Sequence, residues 1–117
     1  MRRNQITILG QERPLCYSTR VYLAIKERFG GLEELGKALT SEDVTVRIKE
    51  TMWMLAQLIL AGKEYADFAG TPAPAPLDEA QLLAVFGPEE LATLGDTIVD
   101  TLNGDGQREV EAEPPKN

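Results

Sequence analysis

Histidine is missing from this 117-residue chain. No side chain therefore has an ordinary pKa near neutrality, and the commonest zinc ligand is gone. Cysteine occurs once, as Cys16. A single thiol closes no internal disulfide, which suits a reducing cytoplasm, and without an imidazole it forms no Cys–His nucleophile. Aromatic residues reach only 6%, so the core has to rest on Leu, Ile, Val, Met and Ala. Basic residues are outnumbered 12 to 19, for a net charge of −7, and Arg2-Arg3 is the only basic doublet. Affinity for nucleic acid comes mainly from Lys and Arg neutralising phosphates, and an anionic membrane attracts the same residues. Neither is expected as a partner, and the acids are too scattered along the chain to imitate DNA. The longest apolar run, Met52 to Gly62 broken by Gln57, is too short to cross a bilayer. Met-Arg-Arg-Asn-Gln-Ile at the N-terminus lacks the apolar stretch of a signal peptide. The expectation is a soluble cytoplasmic protein that works by binding another protein, with no catalytic residues, no cofactor and no metal.

What remains is an ordinary globular mix, 43% hydrophobic and 26% charged, long enough for one core. Residues 5–9, Gln-Ile-Thr-Ile-Leu, alternate and are β-branched, which predicts a short strand. Gly10 supplies a turn, and Arg13 to Tyr17 returns as a second strand in which Pro14 demands an edge. Ser18 or Thr19 then caps a helix running to Phe29, ended by Gly30-Gly31, and a short helix covers Leu32 to Leu39. Thr40-Ser41-Glu42-Asp43 starts a third helix, expected over 42–61. The stretch 71–76, alternating Ala and Pro after Gly70, reads as a linker of extended polyproline II. Asp78 caps a helix to Phe86, and Gly87-Pro88-Glu89-Glu90 opens another whose stripe is Leu91, Leu94, Ile98 and Leu102. Residues 104–117 read as a disordered acidic tail. The predicted class is mainly α with a short N-terminal β-hairpin (α+β): a hairpin plus helical core over 1–70, the linker over 71–76, and a C-terminal helical pair over 77–103. Whether that pair packs on the rest or swings on the linker is left open by the residues alone.

The third helix carries the candidate site. Val44, Ile48, Met52, Leu55 and Ile59 recur at steps of three and four, the stripe by which a helix buries itself in its own domain. Val46, Trp53 and Leu60 recur every seven residues on roughly the opposite side. Methionine adapts to varied apolar partners, and tryptophan is the residue most enriched at interface hot spots. Val46, Trp53, Met54 and Leu60 are therefore the candidate partner-binding anchors, although Trp53 also suits a core.

Two motifs dissolve on inspection. Gly31-Leu32-Glu33-Glu34-Leu35-Gly36-Lys37 has the spacing of a phosphate-binding loop. It is followed by Ala38 where a magnesium-binding Ser or Thr belongs, and it contains two glutamates that repel phosphate. Thr101-Leu102-Asn103-Gly104-Asp105-Gly106 resembles the start of a calcium loop, but the first ligand should be Asp and the twelfth position, Ala112, should be Glu. Carboxylate pairs such as Glu33-Glu34 and Glu89-Glu90 sit near helix starts, where the helix dipole already accounts for them.

The order of elements resembles a known family. A strand pair leads into Ser18-Thr19-Arg20-Val21-Tyr22-Leu23-Ala24-Ile25-Lys26-Glu27-Arg28-Phe29-Gly30-Gly31, followed by a Trp-containing apolar helix, a Pro-rich break and a small helical pair. Over about residues 5–102 this is similar to the tail assembly chaperones of long-tailed bacteriophages, through patterns of residue class rather than invariant ligands. The resemblance implies a protein that coats the apolar, helical tape-measure protein and keeps it soluble until the tail tube forms around it. It implies the infected host's cytoplasm as the compartment and absence from the mature virion. The tail tube protein is a second candidate partner, the hairpin edge offers a route to self-association, and family members are often also made as a longer frameshifted product. The competing expectation is a small virion structural subunit such as a head–tail connector.

Overall fold

The computed structural model describes residues 2–104, and what was expected of the tail beyond them lies outside the described residues. Strands β1 (Arg2–Ile8) and β2 (Gln11–Tyr17) form an antiparallel hairpin in which Ile8 faces Gln11 and Arg2 faces Tyr17. Both are longer than the alternation alone suggested, and Leu9 leaves the strand for the turn. A two-residue hairpin turn of type I′, whose twist matches that of its strands, needs positive φ at both positions. Gly10 takes φ 77° freely, whereas Leu9 at φ 54° does so against its Cβ. In this register Pro14 sits opposite Gln5, a position whose N–H points away from the partner strand, so the ring removes no ladder bond.

Helix α1 (Thr19–Phe29) is capped by Ser18, whose hydroxyl accepts from Val21 N–H, and ends at Gly30 in the left-handed conformation. Helix α2 (Leu32–Leu39) follows directly. The main helix, α3 (Val44–Ala69), starts two residues later than expected: Asp43 is its cap, accepting from the amides of Thr45 and Val46 at 3.0 and 3.4 Å. It also runs eight residues past the expected end at Ala61. Gly62, just past that expected end, is a packing device: a Cβ there would lie 1.9 Å from the Pro14 carbonyl oxygen. Without that Cβ the helix backbone lies directly on the outer edge of β2 and covers it. The extension is supported by a Lys63–Asp67 ion pair at 2.9 Å and closed by Gly70 at φ 76°.

Helix α4 (Glu79–Val85) begins with a full capping box between Asp78 and Gln81, and α5 (Leu91–Asn103) follows a single 3-10 turn at Pro88–Glu90. The fold class is the predicted one: helices around a single two-stranded antiparallel hairpin. The C-terminal pair is packed rather than swinging. Leu82 of α4 and Leu94 and Ile98 of α5 belong to the same buried cluster as Ile8, Leu15, Val21, Ile25, Leu55 and Leu58. The linker is tied down as well, because Arg13 donates to the Ala75 carbonyl at 2.6 Å and Lys63 to that of Ala73 at 3.2 Å. Asn4 reaches α5 through Thr101 Oγ1, and Arg2 donates to the Leu102 carbonyl.

Candidate functional site

The anchors proposed on α3 separate into two groups. Met54 is 0% exposed and packs in the core. It offers no atoms to a partner, and its assignment as an anchor is corrected here. One residue is a 100° step around a helix, so Trp53 and Met54 cannot share a face. Val46 and Leu60 are 38% and 36% exposed, as expected of a row pointing away from the core. On the inward side, Met52, Leu55 and Ile59 are buried, but Val44 in the first turn is exposed, so the core stripe begins only at Ile48.

Trp53 is half-buried and held in a fixed pose. Its ring meets Phe29 edge-on, with centroids 5.5 Å apart at 79°. The Arg28 guanidinium lies 4.8 Å from the ring centroid and is anchored by two bonds to Glu50, at 2.9 and 3.2 Å. The rest of the indole lines an open groove of about 260 Å3, whose other walls are Ala56, Gln57 and Leu60 of α3 and the segment Pro76–Glu79 with Gln81. Trp53 and Leu60 therefore come together in one hollow, while Val46 lies two helical turns before Trp53 on the same side, outside it. The groove has a tryptophan wall, an aliphatic floor and a polar rim from Gln57, Asp78 and Gln81. It suits an apolar side chain from a partner.

No family model, characterised protein or solved structure matches the chain.

Residues that the sequence reading passed over complete the site: Arg28 and Phe29, which pose Trp53, and Leu77, which closes the groove from the linker. Phe29 and Arg28 precede Trp53 by more than 20 residues, and no local spacing announces that contact. The two decoy motifs are accounted for structurally. The Gly31–Lys37 segment is the start of α2 and follows α1 rather than a strand, with Lys37 paired to Glu34 at 3.4 Å. Thr101 is buried with its hydroxyl donating to Thr97 O at 2.8 Å, and Asp105 lies outside the described residues. Among the described residues no group of three His, Cys, Asp or Glu side chains is placed to hold a metal ion, and no helix is long and apolar enough to cross a membrane.

Proposed function

We propose that this chain is a tail assembly chaperone of a long-tailed bacteriophage, acting in the infected host's cytoplasm by binding the apolar, helical tape-measure protein and keeping it dispersed. The observation that carries the reading is the Trp53–Leu60 groove, a posed tryptophan beside exposed aliphatic surface on the outward face of the longest helix. Helix-in-groove recognition uses such a surface: an apolar ridge on the partner enters, and aromatic anchors supply most of the binding energy. The net charge of −7 supports the second half of the task, because a strongly charged coat keeps an aggregation-prone partner in solution. The reading also draws on the family resemblance in element order, and it makes the protein a binder rather than an enzyme.

The test is co-expression with the longest coiled-coil-rich protein encoded beside this gene. That protein should become soluble only in the presence of this one, and the two should co-purify. Leu60→Asp and Trp53→Ala should abolish rescue while the circular-dichroism spectrum stays helical. Leu60→Asp alters a partly exposed position, so it separates lost binding from lost folding. If the neighbour's solubility ignores this chain, and mass spectrometry finds the chain in purified particles, the reading fails in favour of a virion structural subunit.

A further inference from the structure

A second groove runs between α2 and α5, on the side of α3 away from Trp53. In its wider part, about 590 Å3, Leu39, Arg47 and Thr51 face Leu91, Gly95 and Val99. A hollow of about 220 Å3 shares Leu39 and Val99 and continues it past Gly36 and Leu32 to Leu102. Positions 47 and 51 of α3 fall on the opposite side of the helix from positions 53 and 60, so the two grooves are separate surfaces. Leu32 and Val99 are each nearly half exposed along this channel.

Two features mark the channel as more than a gap in packing. The first is a glycine in the middle of each wall helix, Gly36 in α2 and Gly95 in α5. Glycine weakens a helix interior relative to alanine. Neither residue has positive φ, and a Cβ on either would meet nothing within 4 Å, so the chain's own packing requires neither. What both leave is room for another backbone to approach. The second feature is charge. Between Lys63 and Arg108 the sequence contains no Lys or Arg, so the α5 wall is purely acidic, with Glu89 and Asp96 at the channel. The facing wall carries Arg47, whose guanidinium donates to the Ser41 carbonyl, while at the far end Arg2 of β1 donates to the Leu102 carbonyl of α5.

We propose that this channel docks one amphipathic helix of another protein. Its apolar ridge follows the i, i+3/i+4, i+7 pattern, with Lys or Arg on the flank facing Glu89 and Asp96 and Glu or Asp on the flank facing Arg47 of α3. The channel follows α5 over its 13 residues, which at 1.5 Å per residue holds roughly 20 Å of partner helix. Complementary flanks set the direction in which that helix lies and exclude partners of uniform charge. A second copy of this chain is the poorer occupant, because its own α5 brings acids alone against an acidic wall. The proposal stands apart from the Trp53 reading, and either survives the failure of the other.

The experiment titrates the full chain into a fluorescently labelled synthetic helix with a leucine ridge, one lysine flank and one glutamate flank, read by anisotropy. A control peptide carries glutamate at every lysine position. The mixed-flank peptide should bind at least about tenfold more tightly than the control. Gly95→Leu should weaken it by about tenfold or more, since the new side chain fills the channel; its melting temperature should be no lower than the parent's, because space is open and a glycine has left a helix. Asp96→Lys, at an exposed position, should erase the preference between the two peptides. Equal binding of the two peptides, no detectable binding of either, or full binding by Gly95→Leu overturns the proposal. So does a Gly95→Leu effect confined to self-association of the chain.

Discussion

Adding one methyl group at Gly62 should be among the most damaging substitutions available in this protein. Helix α3 crosses β2 with so little clearance that an alanine Cβ would lie 1.9 Å from the Pro14 carbonyl oxygen, 2.5 Å from its carbonyl carbon and 3.2 Å from the Leu15 nitrogen. All three are backbone atoms, so no rotamer relieves the clash. Either the helix lifts off the strand by an ångström or more, or the hairpin bends. Both routes open the packing of Leu15 and Cys16, which are fully buried. Overpacking a core typically costs about 1–3 kcal/mol, and a clash between two backbones belongs at or above the top of that range. Helix propensity returns up to about 1 kcal/mol of this on replacing glycine by alanine. The net loss is therefore about 2–3 kcal/mol, or roughly 10–20 °C in melting temperature for a domain of this size. The internal controls are Gly36→Ala and Gly95→Ala, where a Cβ meets open space and the same change should stabilise by roughly 0.5–1 kcal/mol. Thermal unfolding of the three variants, followed by far-UV circular dichroism, gives the answer. If Gly62→Ala melts with or above Gly36→Ala and Gly95→Ala, the helix does not rest on the strand as described, and the account of the extended α3 fails with it.

Other consequences are open to the same kind of measurement. Leu9→Asn should raise stability by about 0.5–1 kcal/mol in denaturant unfolding, because asparagine tolerates the positive φ of 54° and the leucine it replaces is 73% exposed. Arg13→Ala should cost about 1.5–3 kcal/mol by removing a buried charge-assisted bond to Ala75 O. It should also speed limited proteolysis within residues 71–77; Arg13→Met should lose less stability than Arg13→Ala, since the arginine Nε is buried without a partner. Arg28→Ala should shift the emission of the single tryptophan while changing stability by less than about 1 kcal/mol, because the Arg28–Glu50 pair is partly solvated. Burial raises the Tyr17 phenol above its ordinary value of 10.0, so absorbance titration should find a tyrosine ionising above that value. The neutral form is the one favoured by folding, so this contribution is present at neutral pH and is lost only as pH climbs above 10 towards the folded value.

Local chemistry made much of the architecture readable in advance. Ser18 and Asp78 are caps whose hydrogen bonds close within three residues, and Gly30 ends α1 by its own backbone freedom. The hairpin, the five helices and their order follow from such short-range signals together with the period of the apolar residues. A heptad row also placed Trp53, Val46 and Leu60 away from the core stripe. Decisions involving two distant segments were out of reach. Met54 and Trp53 are adjacent in the chain, and only the placement of the elements packed around α3 buries the first while Phe29 and Arg28 pose the second beside an open groove. Gly62 lies just past the expected end of the helix, and only the approach of Pro14 from 48 residues earlier makes it the point where helix and strand touch. The Ala-Pro segment looks like a free linker until Arg13 and Lys63 bind its carbonyls. The channel between α2 and α5 joins a hollow lined by Gly95 to one lined by Gly36, 59 residues earlier in the chain, through Leu39 and Val99, which line both. Caps, turns and amphipathic faces depend on atoms a few residues away and so are written in the sequence; which faces stay open is set by how the remaining chain packs, and that is decided by the tertiary structure alone.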